Sequence, residues 1–303
     1  MRWILRIALL LVILTTIVLA VFLGPAHMQI RGVAPALPTE AQLRALASVP
    51  GGPLSIHFIE SSSQRGPKRT LGHASVIIEW PNRRLFMIDA AMDDQASQDF
   101  GALIARLSPG MGPVEFRGTV ADLLGPGVAA IDGVGFTHLH TDHVQGITAF
   151  CAARAGGSHL YQSTWQAREH NLHTKESALQ LKNSCLKAVL LAGDGLLSHA
   201  DFPGLGIAAL GGHTPGSTLF AAHVEGTLWL MSGDISNVKE QLLSNTGKGW
   251  LYSNLLVPEN TARTEELRLW LAALDAQPDI EVIVAHDIAA ARDSGMRPLG
   301  APD

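Results

Sequence analysis

Apolar residues alternate with polar ones, or form short runs between turn residues, at eight places along the chain. A period of two residues is typical of β-strands with one buried face. The eight predicted strands cover residues 54–59, 74–80, 84–89, 129–136, 206–210, 218–223, 227–231 and 281–285. Helical spacing instead marks residues 98–107, 147–154, 177–190 and 264–274. Strands in both halves with helices outside them predict an α/β layered architecture.

The first segment has a different pattern, because residues 7–23 contain no charged side chain and only two threonines. A helix of about 20 apolar residues is long enough to cross a bilayer. Arg2 and Arg6 precede the run and no further basic residue follows until Arg31. The positive-inside rule then places the N-terminus in the cytoplasm and the folded body outside it. Residues 1–26 are therefore predicted to be an uncleaved signal anchor of the inner membrane, with the body on the periplasmic side.

The alternative for this segment is a signal peptide that is cleaved, which would make the protein secreted. Signal peptides have a shorter apolar region and a cleavage site of the Ala-x-Ala type, and Gly24-Pro25-Ala26 matches that pattern poorly. Residues 27–52 follow, in a stretch with five prolines from Pro25 to Pro53, and are predicted to be a tether. The remaining residues, 53–303, are predicted to form one folded domain.

The charge and the cysteine content of the chain bear on its binding partners and on a possible disulfide. The net charge is −5, and outside the first segment 20 Lys and Arg face 27 Asp and Glu, so a nucleic-acid-binding surface is not expected. Cys151 and Cys185 are the only cysteines. They could form a disulfide if the body lies outside the cytoplasm, and two buried thiols are the alternative.

The densest candidate chemistry directly follows a predicted strand, where residues 137–143 read Thr-His-Leu-His-Thr-Asp-His. Three imidazoles and a carboxylate within six residues suit a metal that takes nitrogen and oxygen ligands, such as zinc. Alternation along an extended segment places His138 and His140 on the same side, where they can chelate one ion. The following turn would direct Asp142 and His143 toward a second ion.

Four further motifs accompany this HxHxDH pattern. They are Ile88-Asp89, Gly212-His213-Thr214-Pro215-Gly216-Ser217, Ser232-Gly233-Asp234 and Ala285-His286-Asp287. In this order the five motifs resemble those of the metallo-β-lactamase superfamily, over roughly residues 54 to 290. The resemblance implies an αββα sandwich, two sheets packed face to face with helices on both outer sides and metals at one edge, preceded here by the transmembrane or signal helix.

Position by position, the resemblance implies a dinuclear metal centre. Its ligands would be His138, His140 and His213 for one ion, Asp142, His143 and His286 for the other, and Asp234 as the bridge between them. Asp89 would lie behind the ligands and orient them. The cofactors implied are two divalent ions, with zinc favoured and iron or manganese as alternatives. Seven further histidines have no such motif and are expected to be surface or satisfied core residues: His57, His73, His159, His170, His173, His199 and His223.

The reaction implied is hydrolysis of an ester, lactone or thioester in a small-molecule substrate by a metal-bridged hydroxide, with Asp142 and Asp234 as the catalytic carboxylates. An aspartate at 234 resembles thioesterases, lactonases and organophosphate hydrolases of the superfamily more than true β-lactamases, which usually have Cys or Ser there. The lactonase tyrosine after this position is absent, so Asn237 is the candidate hydrogen-bond donor to an oxyanion and Tyr252 a distant substitute. Phosphotriesterase or β-lactamase activity, and a non-catalytic metal-stabilised binding module, are the alternatives.

Overall fold

Two β-sheets packed face to face form the body of the protein. The computed structural model describes residues 2–299, so the outer ends of the first and last predicted segments, Met1 and residues 300–303, lie outside the described residues. The strands are β1 (Ser55–Arg65), β2 (Thr70–Trp80), β3 (Arg84–Ile88), β4 (Val114–Phe116), β5 (Ile131–Gly135), β6 (His159–Ser163), β7 (Lys187–Leu191), β8 (Leu205–Ala209), β9 (Thr218–Val224), β10 (Thr227–Gly233), β11 (Ile280–Val284) and β12 (Arg297–Pro298).

The first sheet has the order β12-β1-β2-β3-β5-β6-β7, with β4 paired to β1, and the second has the order β11-β10-β9-β8. The helices are α1 (Arg2–Arg31), α2 (Glu40–Arg44), α3 (Asp94–Leu107), α4 (Val120–Leu124), α5 (Thr141–Val144), α6 (Ile147–Ala153), α7 (Thr164–Arg168), α8 (Lys175–Lys182), α9 (Lys239–Leu243), α10 (Thr261–Asp275) and α11 (Ile288–Asp293). Strands β3, β5 and β6 run parallel, as do β10 and β11. Parallel neighbours end at the same sheet edge, which matters for the site below.

Alternation along the strands divides the apolar side chains among three layers of core. Phe86 and Ile78 point between the sheets, where they join Phe220 and Met231 of the second sheet. Their sequence neighbours, such as Ile77, point outward and pack with the helices that cover the first sheet. A third cluster lies between the second sheet and α10, with α2 at its border. The predicted αββα sandwich is confirmed.

Close contact between the sheets depends on glycine in β5. A Cβ added at Gly135 would lie 2.4 Å from the ring of Phe220, and one added at Gly133 would lie 2.4 Å from Phe86. Both distances are shorter than any real carbon–carbon contact, so larger residues here would force the sheets apart. This packing brings the end of β5 next to the ends of β8 and β10.

The eight predicted strands are all present, but part of the connection between the sheets was predicted wrongly. The pattern predicted one helix over residues 177–190, whereas α8 ends at Lys182 and the chain then forms β7. Strands β4, β6, β7 and the two-residue β12 were missed. Short apolar runs have no clear period, and β7 is a sheet edge with Leu190 exposed, so its pattern resembled a helix face.

Helix α1 is long and apolar enough to cross a membrane, and none of its most apolar window is buried against the body. Its last turns do contact the body: Ala26 and Ile30 are buried, His27 Nε2 lies 3.0 Å from the backbone oxygen of Asn254, and Gln29 donates a hydrogen bond to Glu169. Residues 32–48 continue along the surface, with Val33 and Leu43 buried. The segment predicted as a tether is therefore packed on the second sheet, because its few apolar residues find partners there.

Cys151 in α6 and Cys185 before β7 form a disulfide, which resolves the choice left open by the sequence. The two residues are 34 positions apart, so the bond closes a loop that contains β6, α7 and α8. Removing such a loop constraint increases the conformational entropy of the unfolded chain.

We expect the double variant Cys151→Ser/Cys185→Ser to lose about 3 to 4 kcal/mol of unfolding free energy, the value that loop entropy assigns to a closure of this length. Urea denaturation followed by circular dichroism measures the loss. Reduced wild-type protein is the control and should unfold at the same urea concentration as the variant. Equal stability of the oxidised wild type and the variant would show that the disulfide does not contribute.

Candidate metal centre

The seven predicted ligands and Asp89 all lie just beyond the carboxyl ends of strands, at one edge of the sandwich. His138 and His140 follow β5, while Asp142 and His143 occupy the first turn of α5. The remaining four follow β3, β8, β10 and β11: Asp89, His213, Asp234 and His286. Packing of the two sheets brings these strand ends together, so residues up to 197 positions apart in sequence line one buried volume.

Three imidazoles form the first donor group. His138 Nε2 lies 3.0 Å from His140 Nδ1, and His213 Nε2 lies 3.2 Å from the same His140 atom. His138 and His213 are buried and His140 is half-buried. Nitrogen atoms this close converge on one point from three directions, which is the arrangement that a tetrahedral or higher-coordinate ion requires.

Two imidazoles and two carboxylates form the second donor group. Asp142 Oδ2 lies 3.6 Å from His143 Nε2 and 3.4 Å from His286 Nε2. Asp234 Oδ1 lies 3.5 Å and 3.1 Å from the same two nitrogen atoms. The set mixes carboxylate oxygen with imidazole nitrogen and is buried throughout, which suits zinc, iron or manganese.

Asp234 touches both groups. Its Oδ1 faces His143 and His286, whereas its Oδ2 lies 3.8 Å from His213 Nε2 in the first group. Gly233 makes this placement possible, because its φ is +59° and a Cβ there would lie 2.6 Å from Thr137 Cβ. One carboxylate thus has an oxygen for each donor group.

Hydrogen bonds from outside hold the imidazoles in orientation. His143 Nδ1 lies 2.8 Å from Asp89 Oδ2, and Asp89 also accepts hydrogen bonds from the backbone and hydroxyl of Thr137. Asp89 has a φ of +61°, a conformation that aspartate tolerates better than most residues. His286 Nδ1 donates to the backbone oxygen of Gly72 at 2.8 Å. Asp89 thus lies behind His143 and holds its ring in orientation, and its role toward a metal ligand stays a prediction.

Glu259 and Lys248 were not identified from the sequence. Glu259 Oε1 lies 2.5 Å from His213 Nδ1, and Ser253 donates a hydrogen bond to the other carboxylate oxygen. Lys248 Nζ lies 3.4 Å from Glu259 Oε1 and 3.6 Å from Asp234 Oδ2, with only 4% of its side chain exposed. Both residues belong to the segment before α10, which has no recognisable motif, so no sequence signal marked them.

Neighbouring positive charges keep two buried acids of the centre, Glu259 and Asp234, ionised. Burial would raise the pKa of Glu259, but Lys248 and the hydrogen bond to His213 outweigh burial and lower it to about 2. Burial would likewise raise the pKa of Asp234, yet His286 and Lys248 hold it well below its usual value. Burial, and then the neighbouring imidazoles, keep the pKa of His138 and His140 well below 6.5. Neutral His138 and His140 and ionised Asp234 are in the protonation states that bind metal. For His143 and His286, the neighbouring carboxylates outweigh burial and raise the pKa.

A divalent metal ion fits these residues. Buried polar atoms normally have hydrogen-bond partners, but His143 Nε2 and Asp234 Oδ1 are buried without one among the described residues. Donors that could hold an ion, with ligand atoms within 4.8 Å of one another, fall into three sets: His138, His140 and His213; His138, His143 and Asp234; His73, Asp142 and His286. An ion would satisfy the unpaired atoms and offset the mutual repulsion of the imidazoles.

His73, expected to be a surface or satisfied core residue, is instead buried beside Asp142 and His286, and burial lowers its pKa to about 3. It lies within β2 rather than after a strand, which is why no motif marked it.

Asn237 is half-buried, and none of the described hydrogen bonds links its side chain to the seven donors. Its role toward an oxyanion stays a prediction.

Comparison with known proteins gives a consistent family match. The model of the metallo-beta-lactamase superfamily matches residues 69–286. An N-acyl homoserine lactone hydrolase solved with the product N-hexanoyl-L-homoserine at its catalytic metal centre is similar in structure, with a TM-score of 0.59, 15% identity, and coverage of 82% of this chain and 99% of the other. A probable metal-dependent hydrolase from Staphylococcus aureus has a TM-score of 0.53, 17% identity, and coverage of 78% and 90%.

Sequence identity this low establishes a shared fold and not a shared substrate. No curated protein matches the chain in sequence. The family match and the two structures agree on the fold that brings the histidine and aspartate donors together.

We expect full-length protein purified without chelators to contain close to two divalent ions per chain, because seven donors are too many for one tetrahedral ion. Elemental analysis measures the content. The variant His286→Ala should lose close to one ion, whereas the exposed Asp94→Asn should keep both. Only trace metal in natively purified protein would contradict this expectation.

Proposed function

The chain belongs to the metallo-beta-lactamase superfamily and is a metal-dependent hydrolase, and we propose that it works with two ions and cleaves an ester, lactone or thioester bond. The observation that carries the dinuclear proposal is the position of Asp234. Its two carboxylate oxygens face different donor groups, one of three imidazoles and one of two imidazoles and Asp142. A bridging carboxylate is the ordinary way to hold two cations close together.

Divalent ions held by these donors would supply Lewis acidity and make a nucleophile derived from water available at neutral pH. Asp142 is placed to orient that nucleophile, since its Oδ2 faces the space between His143 and His286. The same carboxylate can accept the proton that the nucleophile loses on attack and deliver it to the leaving group. Asp89 and Glu259 keep the imidazoles turned toward the ions through the whole cycle.

In the proposed reaction, Lys248 and Tyr252 stabilise the negative charge that develops on the substrate oxygen. Lys248 Nζ lies 3.6 Å from Asp234 and 5.3 Å from the centre of the Tyr252 ring, so both side chains border the metal centre. Tyr252, which the sequence left as a distant substitute for the lactonase tyrosine, is therefore near the site in space. An ammonium and a phenol can stabilise the oxyanion that forms when an acyl carbonyl is attacked. This favours acyl substrates, and the lactone hydrolase fold of the solved relative is consistent with that choice.

We further propose that α1 anchors the protein in the inner membrane with the hydrolase domain on the periplasmic side. Arg2 and Arg6 flank the apolar run on its N-terminal side, which favours retention of that end in the cytoplasm. The Cys151–Cys185 disulfide supports the same orientation, because disulfides persist in oxidising compartments. Contacts of His27 and Gln29 with the body also favour a helix that stays attached over one that is cleaved.

The catalytic part is tested by Asp234→Asn, which should weaken the bridge and disturb both ions. We expect turnover to fall at least about a hundredfold, equivalent to roughly 2.7 kcal/mol in the barrier. The substrate is whichever aryl ester, lactone, thioester, phosphotriester or β-lactam the wild type hydrolyses best, with folding checked by circular dichroism and Asp94→Asn as control. A folded variant that has lost metal but retains the full rate would overturn the mechanism. Failure of the metal-loaded wild type on every substrate would favour a binding module.

Localisation is tested by fractionating cells that produce the full chain. We expect the protein in the membrane fraction and accessible to protease added to the periplasm, because the apolar run is long enough to span the bilayer. A cytoplasmic protein of known location serves as the marker for leakage. Full-length protein in the soluble cytosol would exclude the anchor, and a mature form beginning near His27 would identify a cleaved signal peptide.

A further inference from the structure

His73 is a buried imidazole for which neither the motifs nor the hydrogen-bond network gives a role. It lies in β2 with 5% of its surface exposed, and its Nδ1 has no hydrogen-bond partner among the described residues. Leaving a buried polar nitrogen unpaired is unfavourable by about 1–3 kcal/mol. A side chain in this position therefore needs a partner other than the residues around it.

The ring of His73 is directed at the second donor group. Its Nδ1 lies 3.7 Å from Asp142 Oδ2, which is too long for a hydrogen bond but similar to the distances of His143 and His286 from the same oxygen atom. His73, Asp142 and His286 each offer a ligand atom within 4.8 Å of the others. The three imidazoles therefore surround Asp142 Oδ2 at comparable distances.

Backbone contacts hold His73 in this place. Gly72 accepts a hydrogen bond from His286 Nδ1 and donates one from its own N–H to the backbone oxygen of His286. A side chain at Gly72 would collide with Ile288, since an added Cβ would lie 2.4 Å from it. The rings of His73 and His286 then meet edge to face at 5.0 Å, and Phe100 of α3 supports His73 from another side at 5.3 Å.

We infer that His73 is an additional ligand of the second metal ion, through its Nδ1 atom. This inference rests on the proposed dinuclear centre and extends its ligand set beyond the seven positions of the family motifs. The second ion would then have five protein donors, His73, Asp142, His143, Asp234 and His286, against four for the first. Five donors exceed the tetrahedral set typical of zinc and suit an ion that accepts higher coordination, such as iron or manganese.

A role in orienting Asp142 without touching metal is the competing explanation, and counting the coordinated imidazoles separates the two. Each imidazole bound to high-spin cobalt(II) keeps one N–H on its other nitrogen, and that proton gives a strongly shifted, exchangeable proton NMR signal. The cobalt-substituted full-length protein should show six such signals, from His73, His138, His140, His143, His213 and His286. An orienting role for His73 would leave only five.

His73→Phe should remove one of the six signals and at the same time weaken binding of the second cobalt ion at least about tenfold, whereas binding of the first should change little. His73→Gln, which retains a hydrogen-bonding amide, should also show five signals and guards against a packing defect of the larger ring. His159→Phe, a change at an exposed histidine of β6, is the matched control and should keep all six.

The outcomes distinguish this inference from the proposed function. Two cobalt ions with five signals in the wild type, unchanged in either His73 variant, would overturn the ligand role of His73 while the dinuclear hydrolase stands. Uptake of a single ion by the wild type would overturn the dinuclear centre and the inference together. Six signals that fall to five only when His73 is replaced are the expected result.

Discussion

The structure depends on the burial of many ionisable side chains in one small volume at the edge of the sandwich. Five histidines and two aspartates of the predicted ligand set, with His73, form overlapping groups whose ligand atoms lie within 4.8 Å of one another, yet several of their atoms have no partner among the described residues. Without cations such a cluster would be unstable, because burial penalises charge and neighbouring imidazoles repel when protonated. Divalent ions would bind the imidazoles and neutralise the carboxylates, which would stabilise the same cluster. Folding and metal binding are therefore expected to be coupled.

The rest of the protein can be understood as support for that cluster. Two sheets with glycines at their closest approach bring strand ends from both halves of the chain to one edge. Asp89, Glu259 and the backbone of Gly72 then fix the rings from behind. Lys248 adds a buried positive charge beside two carboxylates and lowers the pKa of both. The site is therefore held by rigid strand ends rather than by mobile loops, which favours precise positioning of ligands.

The residues that are proposed to act beside the metal donors lie outside the motifs. Lys248, Tyr252 and Glu259 all come from the segment before α10, which contains a π-helical turn at Tyr252–Leu256. The end of α1 contacts this same segment through His27 and Asn254, so this helix and the segment bordering the metal centre are physically connected. The residues proposed to stabilise an oxyanion therefore come from one short irregular stretch, whereas the donors follow the ends of strands.

The sequence by itself determined the local features: strands with a period of two, an uncharged apolar run at the N-terminus, and donors such as His138, His140, Asp142 and His143 that are close along the chain. These four donors could be recognised because they are neighbours in the sequence. The ordered motifs added His213, Asp234 and His286 through the family resemblance. Only the tertiary structure decided that Cys151 meets Cys185, that β7 is a strand, and that Lys248, Glu259 and His73 reach the centre. Those residues carry no local signal, because their roles depend on how two sheets pack and on which distant side chains that packing brings within a few ångströms.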